Sequence, residues 1–111
     1  MKIYDVFGKA DDSGEHILGA RETGSHACYL IYGVLKPGEK GRELSPGTGH
    51  EELVLVIAGD LELSGQCTGM LKQGQAIHLK DAQSCSAENP GTIDAVYVIS
   101  GGHSGSENGH H

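Results

Sequence analysis

Between Glu51 and Gly65 the chain reads EELVLVIAGDLELSG, and this stretch restricts the possible folds more than any other. Leu53 to Ala58 is apolar without alternation, short for a helix and stopped by Gly59-Asp60, which predicts a strand buried on both faces. Leu61 to Leu63 then alternates as a return strand does. The same pattern recurs along the chain. CYLIYGVL, from Cys28 to Leu35, ends in the turn Lys36-Pro37-Gly38-Glu39. A weaker strand is expected near Cys67 to Leu71, AIHLK follows Lys72-Gln73-Gly74, SCSAE follows Asp81 to Gln83, and IDAVYVIS follows Asn89-Pro90-Gly91. IYDVF near the start reads as an edge strand, KADDSGEHILGARETGS as loop with at most one short strand, and EKGRELSPGTGH as a second loop. Eighteen glycines, three prolines and segments rich in Val, Ile, Leu and Tyr leave no room for a helix of ordinary length. Roughly eight to ten short strands with turns between them predict an all-β, antiparallel sandwich or closed barrel.

With 111 residues the chain supports one domain around one core, expected over residues 1–102, with a flexible Gly/Ser/His tail over 103–111. The net charge of −7 and the lack of a basic run argue against nucleic acid or an anionic membrane surface as partner. No apolar run approaches the roughly 18 residues of a membrane span, and MKIYDVFGKADD lacks the apolar stretch of a signal peptide, so a cytoplasmic protein is expected. Cys28, Cys67 and Cys85 are an odd count without a CxxC, which predicts free thiols rather than a disulfide framework or zinc knuckle. Of the seven histidines three fall in the tail, leaving His16, His26, His50 and His78 to be placed.

The order of these pieces resembles the cupin superfamily, whose first motif runs G-x5-H-x-H-x3,4-E-x6-G and whose second runs G-x5-P-x-G-x2-H-x3-N. Glu52 and Gly59 match the end of the first motif, and Gly74 and Asn89 match the two ends of the second. LKPGE at 35–39 is similar to the strand end that precedes the first motif, and IDAVYVISGG to the family's last strand. The resemblance covers about residues 28 to 102 and implies a jelly-roll β-barrel, the double-stranded β-helix. It also implies one divalent metal ion held inside by two histidines and a glutamate from the first motif and a histidine from the second. Here the histidine positions of the first motif fall on Ser45 and Gly47, or on Pro46 and Thr48, and Cys85 stands at the histidine of the second.

That departure leaves a divergent candidate metal set: His50, Glu52, His78 and Cys85. His50 lies two residues before Glu52, so an extended chain points both to one side. His78 shares a strand side with Ala76 and Lys80, opposite Ile77 and Leu79, and faces either the pocket or water. A Cys85 thiolate would favour a transition metal such as zinc, iron, cobalt or copper over magnesium or calcium, with nickel and manganese as further possibilities for the whole set; otherwise Cys85 is a small buried residue filling space. Two functions remain open: a barrel holding a divalent metal ion, a small polar ligand or both, enzymatic or not, and a metal-free, non-catalytic ligand-binding or sensor barrel. Tyr29, Tyr32 and Tyr97 read as packing residues. A strand as apolar as LVLVIA, in so thin a barrel, predicts a homodimer formed through sheet packing or exchanged edge strands.

Overall fold

The computed structural model describes residues 1–104. In chain order they form β1 (Glu15–Leu18), a single helical turn α1 (Ala20–Thr23), β2 (Cys28–Leu35), β3 (Arg42–Leu44), β4 (His50–Ala58), β5 (Leu61–Gly65), β6 (Gly69–Leu71), β7 (Ala76–Lys80), β8 (Cys85–Glu88) and β9 (Ala95–His103). The strands make two sheets, one ordered β1-β2-β9-β4-β7 and the other β3-β8-β5-β6, with antiparallel pairing throughout. Strands adjacent in a sheet are often distant in sequence, as in β2-β9-β4, which is the wiring of a jelly roll. No helix among the described residues is long and apolar enough to cross a membrane.

The core is the inner layer of both sheets. Leu35, Val54, Val56, Leu79, Ala95, Tyr97 and Ile99 from the larger sheet meet Leu44, Leu61, Leu63, Leu71, Cys85 and Ala87 from the smaller in one continuous cluster. Burial along β4 alternates: Glu52, Val54 and Val56 are buried, while Leu53 is 53% and Leu55 41% exposed. This corrects the expectation of a strand buried on both faces. The outer row of β4 is apolar yet nothing among the described residues covers it, so unbroken hydrophobicity marks an apolar outer surface here, not a second core layer.

Three further differences are local. IYDVF forms no strand; instead the Phe7 ring stacks 5.1 Å from Tyr32 and covers part of the outer face of β2. Arg42–Leu44, inside a segment read as loop, pairs with β8 and carries the smaller sheet to its edge. Strand β9 continues to His103, one residue past the expected domain boundary, while the rest of the tail from 105 onward lies outside the described residues.

Two polar networks tie the ends of the strands together. Buried Asn89 donates from Nδ2 to the Leu35 carbonyl at 2.9 Å and the Ile93 carbonyl at 2.7 Å, and accepts from the Gly91 N–H at 2.9 Å. Its backbone bonds Gly38 and Glu39, so the turns after β2 and β8 are pinned to each other. At the same end the Tyr97 hydroxyl donates to Glu15, and Arg42 Nη1 donates to Tyr97 Oη at 2.8 Å. Tyr97 reaches Glu15 by passing over Gly33, the residue paired with both across β1, β2 and β9; a Cβ at position 33 would overlap the Tyr97 ring.

Candidate functional site

The opposite end of the larger sheet repeats that device with a different outcome. Tyr29 on β2, Gly101 on β9 and Glu52 on β4 occupy one row of the sheet. Because Gly101 has no side chain, the Tyr29 ring lies over it, and the Tyr29 hydroxyl donates to Glu52 Oε2 at 2.6 Å. Glu52 is 5% exposed, with Leu79 of β7 on its other flank. Burial first, and then the Glu52 carboxylate, push the Tyr29 hydroxyl above its ordinary value, so Tyr29 stays a hydrogen-bond donor well into alkaline solution.

One row further out, His50 of β4 pairs with His103 of β9. Their rings lie 4.9 Å apart, and the His50 ring is 6.0 Å from that of Tyr29. His50 Nδ1 lies 3.2 Å from the Thr48 carbonyl, which can only accept, so the proton of the neutral imidazole is assigned to Nδ1 and Nε2 is left as an acceptor. Tyr29, Glu52, His50 and His103 thus form a contiguous polar group at the barrel mouth, above the aliphatic core. It is rich in acceptors: a buried carboxylate and a free imidazole nitrogen.

The four residues of the candidate metal set divide. His50 and Glu52 come together as the alternation of an extended strand predicts. His78 projects from the other face of the sheet, where its Nε2 lies 2.8 Å from Glu51 Oε1. Ile77 and Leu79 take the inner side of β7, so His78 faces outward. The His78 imidazole, and next the Ser104 hydroxyl, hold the exposed Glu51 carboxyl below the usual carboxylate range. Cys85 does point inward, but into the aliphatic cluster beside Cys67, and burial followed by the neighbouring sulfur raises its thiol from 9.0 to about 11. A protonated thiol among Leu side chains is a poor donor to a cation. No group of three or more His, Cys, Asp or Glu side chains among the described residues is placed to hold a metal ion. The four candidate residues therefore do not converge as one donor set, since only His50 and Glu52 stand together.

Two members of the mouth group escaped the sequence reading. Tyr29 reads as packing, and His103 as tail. The signal for His103 was parity: Ala95, Tyr97, Ile99, Gly101 and His103 lie on one side of β9, so a strand extended by one residue carries the imidazole inward. A shallow depression also opens at this end of the sheet. Its lining combines the outward-facing Glu51, Leu53, His78 and Ser100 with Glu52, Gly101 and His103 of the mouth rows.

No protein-family model and no curated protein matches the sequence. Solved structures do. The protein TT1209 from Thermus thermophilus superposes with a TM-score of 0.70 at 14% identity, over 93% of this chain and 98% of its own. Oxalate oxidase in complex with the substrate analogue glycolate gives 0.72 at 16% identity, over 91% of this chain and 59% of its own. The cupin domain of Schizosaccharomyces pombe Cnp3 gives 0.63 at 13% identity, over 74% and 57%. With its two facing antiparallel sheets, its jelly-roll wiring and these neighbours, the chain has the cupin fold, a double-stranded β-helix.

Proposed function

We propose that this protein binds a small neutral or cationic molecule rich in hydrogen-bond donors, a polyol or an amine, at the mouth of its barrel and without a resident metal ion. The observation that carries this reading is the Tyr29–Glu52 hydrogen bond across Gly101, with His50 and His103 beside it. Tyr29 occupies part of Glu52 Oε2, and the remaining carboxylate lone pairs together with His50 Nε2 accept from the ligand. The chain's own net charge of −7 favours the same ligand class. An anion such as glycolate, the ligand of the oxalate oxidase neighbour, meets a buried carboxylate here with no cation to offset it. The reading with a divalent metal ion draws on His78 and Cys85, and neither faces Glu52.

NMR titration of the isotopically labelled full chain with three probes, ethanolamine, glycerol and glycolate, tests it. Ethanolamine and glycerol are expected to shift the Tyr29, His50 and Glu52 resonances at millimolar concentration, and Glu52→Ala to abolish the response. Larger shifts with glycolate than with either donor, or no shift with any of the three, overturn the reading.

A further inference from the structure

Cys85 is a buried nucleophile that the ligand reading leaves unused, and the fold brings a second thiol to it. Gly65 at the end of β5 is the register partner of Cys85 on β8. Pairing continues one residue further: the Gln66 N–H donates to the Ser84 carbonyl at 3.3 Å, and the Ser84 N–H to Gln66 Oε1 at 2.8 Å. These bonds hold the chain close to β8 up to the residue before Cys67, which then packs against the core cluster that contains Cys85. Gly65 bears no side chain at this rung, and burial, followed by the neighbouring Cys67 sulfur, raises the Cys85 thiol. Cys85 is 4% exposed and Cys67 is half-buried, so one sulfur of the pair meets solvent and the other waits behind it. A surface depression lined by Gly65, Gln66, Ser84 and Cys85 opens at this rung. Cys28, exposed on the other sheet, is an internal reference thiol.

We propose that Cys67 and Cys85 are a reversible thiol–disulfide couple, with low-molecular-weight disulfides of the glutathione type as the oxidant. The Cys67 thiolate attacks one sulfur of glutathione disulfide; that S–S bond breaks, one glutathione thiolate leaves, and a mixed disulfide stands on Cys67. Cys85 then gives up its proton to solvent and attacks Cys67 Sγ. The bond from Cys67 to glutathione breaks and the second glutathione thiolate leaves. The two protein thiols have lost two electrons and two protons, and glutathione disulfide has become two glutathione thiols. The product fastens the turn after β5 to β8 and closes the loop from 67 to 85, which removes conformations from the unfolded chain.

The experiment uses the full wild-type chain, equilibrated anaerobically in glutathione buffers of graded redox ratio, quenched with an alkylating agent and analysed by mass spectrometry with peptide mapping. The expected result is a species two hydrogen masses lighter, with Cys28 alone alkylated and a Cys67–Cys85 linked peptide, reversed by dithiothreitol and accompanied by a higher thermal midpoint. Cys85→Ser is expected to stop at one glutathione on Cys67. Alkylation of all three cysteines at every ratio, a stable glutathione adduct in the wild type, or a linkage that includes Cys28 overturns the proposal.

Discussion

Glu52 and Glu15 are held in the same way, each by a tyrosine that crosses a strand through the gap left by a glycine, yet only Glu52 is at the mouth. The difference predicts unequal costs for filling the two gaps. Gly33→Ala forces Tyr97, which is fully buried, out of the core and is expected to cost about 2–4 kcal/mol. Gly101→Ala is expected to cost about 1 kcal/mol, because Tyr29 can swing toward solvent, but it breaks the contact with Glu52. Urea unfolding of the two variants measures both; equal costs would contradict the account. The thiol of Cys85 makes a second prediction at this scale. Its native pKa of about 11 lies above the ordinary 9.0, so the unfolded chain gives up this proton first, and the stability it contributes is complete below pH 9 and lost as pH rises toward 11. Thermal midpoints should therefore begin to fall above pH 9, and Cys85→Ala should delay the fall until the tyrosines titrate. An onset unchanged in that variant would refute the assignment.

Among the elements, most strands were legible because their information is local. Alternation placed Glu52 with His50 on one side of β4, and Ile77 with Leu79 on the inner side of β7. Which neighbour a side chain meets was not legible, because Tyr29 finds Glu52 across β9, from a strand 23 residues away in sequence. The outer row of β4 misled for a related reason: LVLVIA states that the strand is apolar but not what covers it. Arg42–Leu44 is too short and too polar to announce itself as a strand, and only β8 makes it one. Asn89, legible as the end of the second motif, turns out to be a pin between turns. Asn89→Ala removes the buried partners of Leu35, Ile93 and Gly91 and is expected to cost about 2–4 kcal/mol, measured by chemical denaturation. A cost below about 1 kcal/mol would show that water replaces it.

On the scale of the whole molecule, the exposed Leu53 and Leu55 give the expected homodimer a definite surface, the outer face of β4 and its neighbours, which a two-fold axis would pack against itself. Light scattering at micromolar concentration should return twice the chain mass, and Leu53→Glu should return the chain mass; a monomer in the wild type rules the dimer out. At the mouth His50 and Glu52 stand over aliphatic packing, which leaves them without the further side-chain donors a metal ion needs. Transition-metal content per chain, measured by elemental analysis on the untagged His110→Ala/His111→Ala protein, tests this most directly. The account predicts less than about a tenth of an equivalent, since a built site generally survives purification. One equivalent that disappears in Glu52→Ala would contradict it.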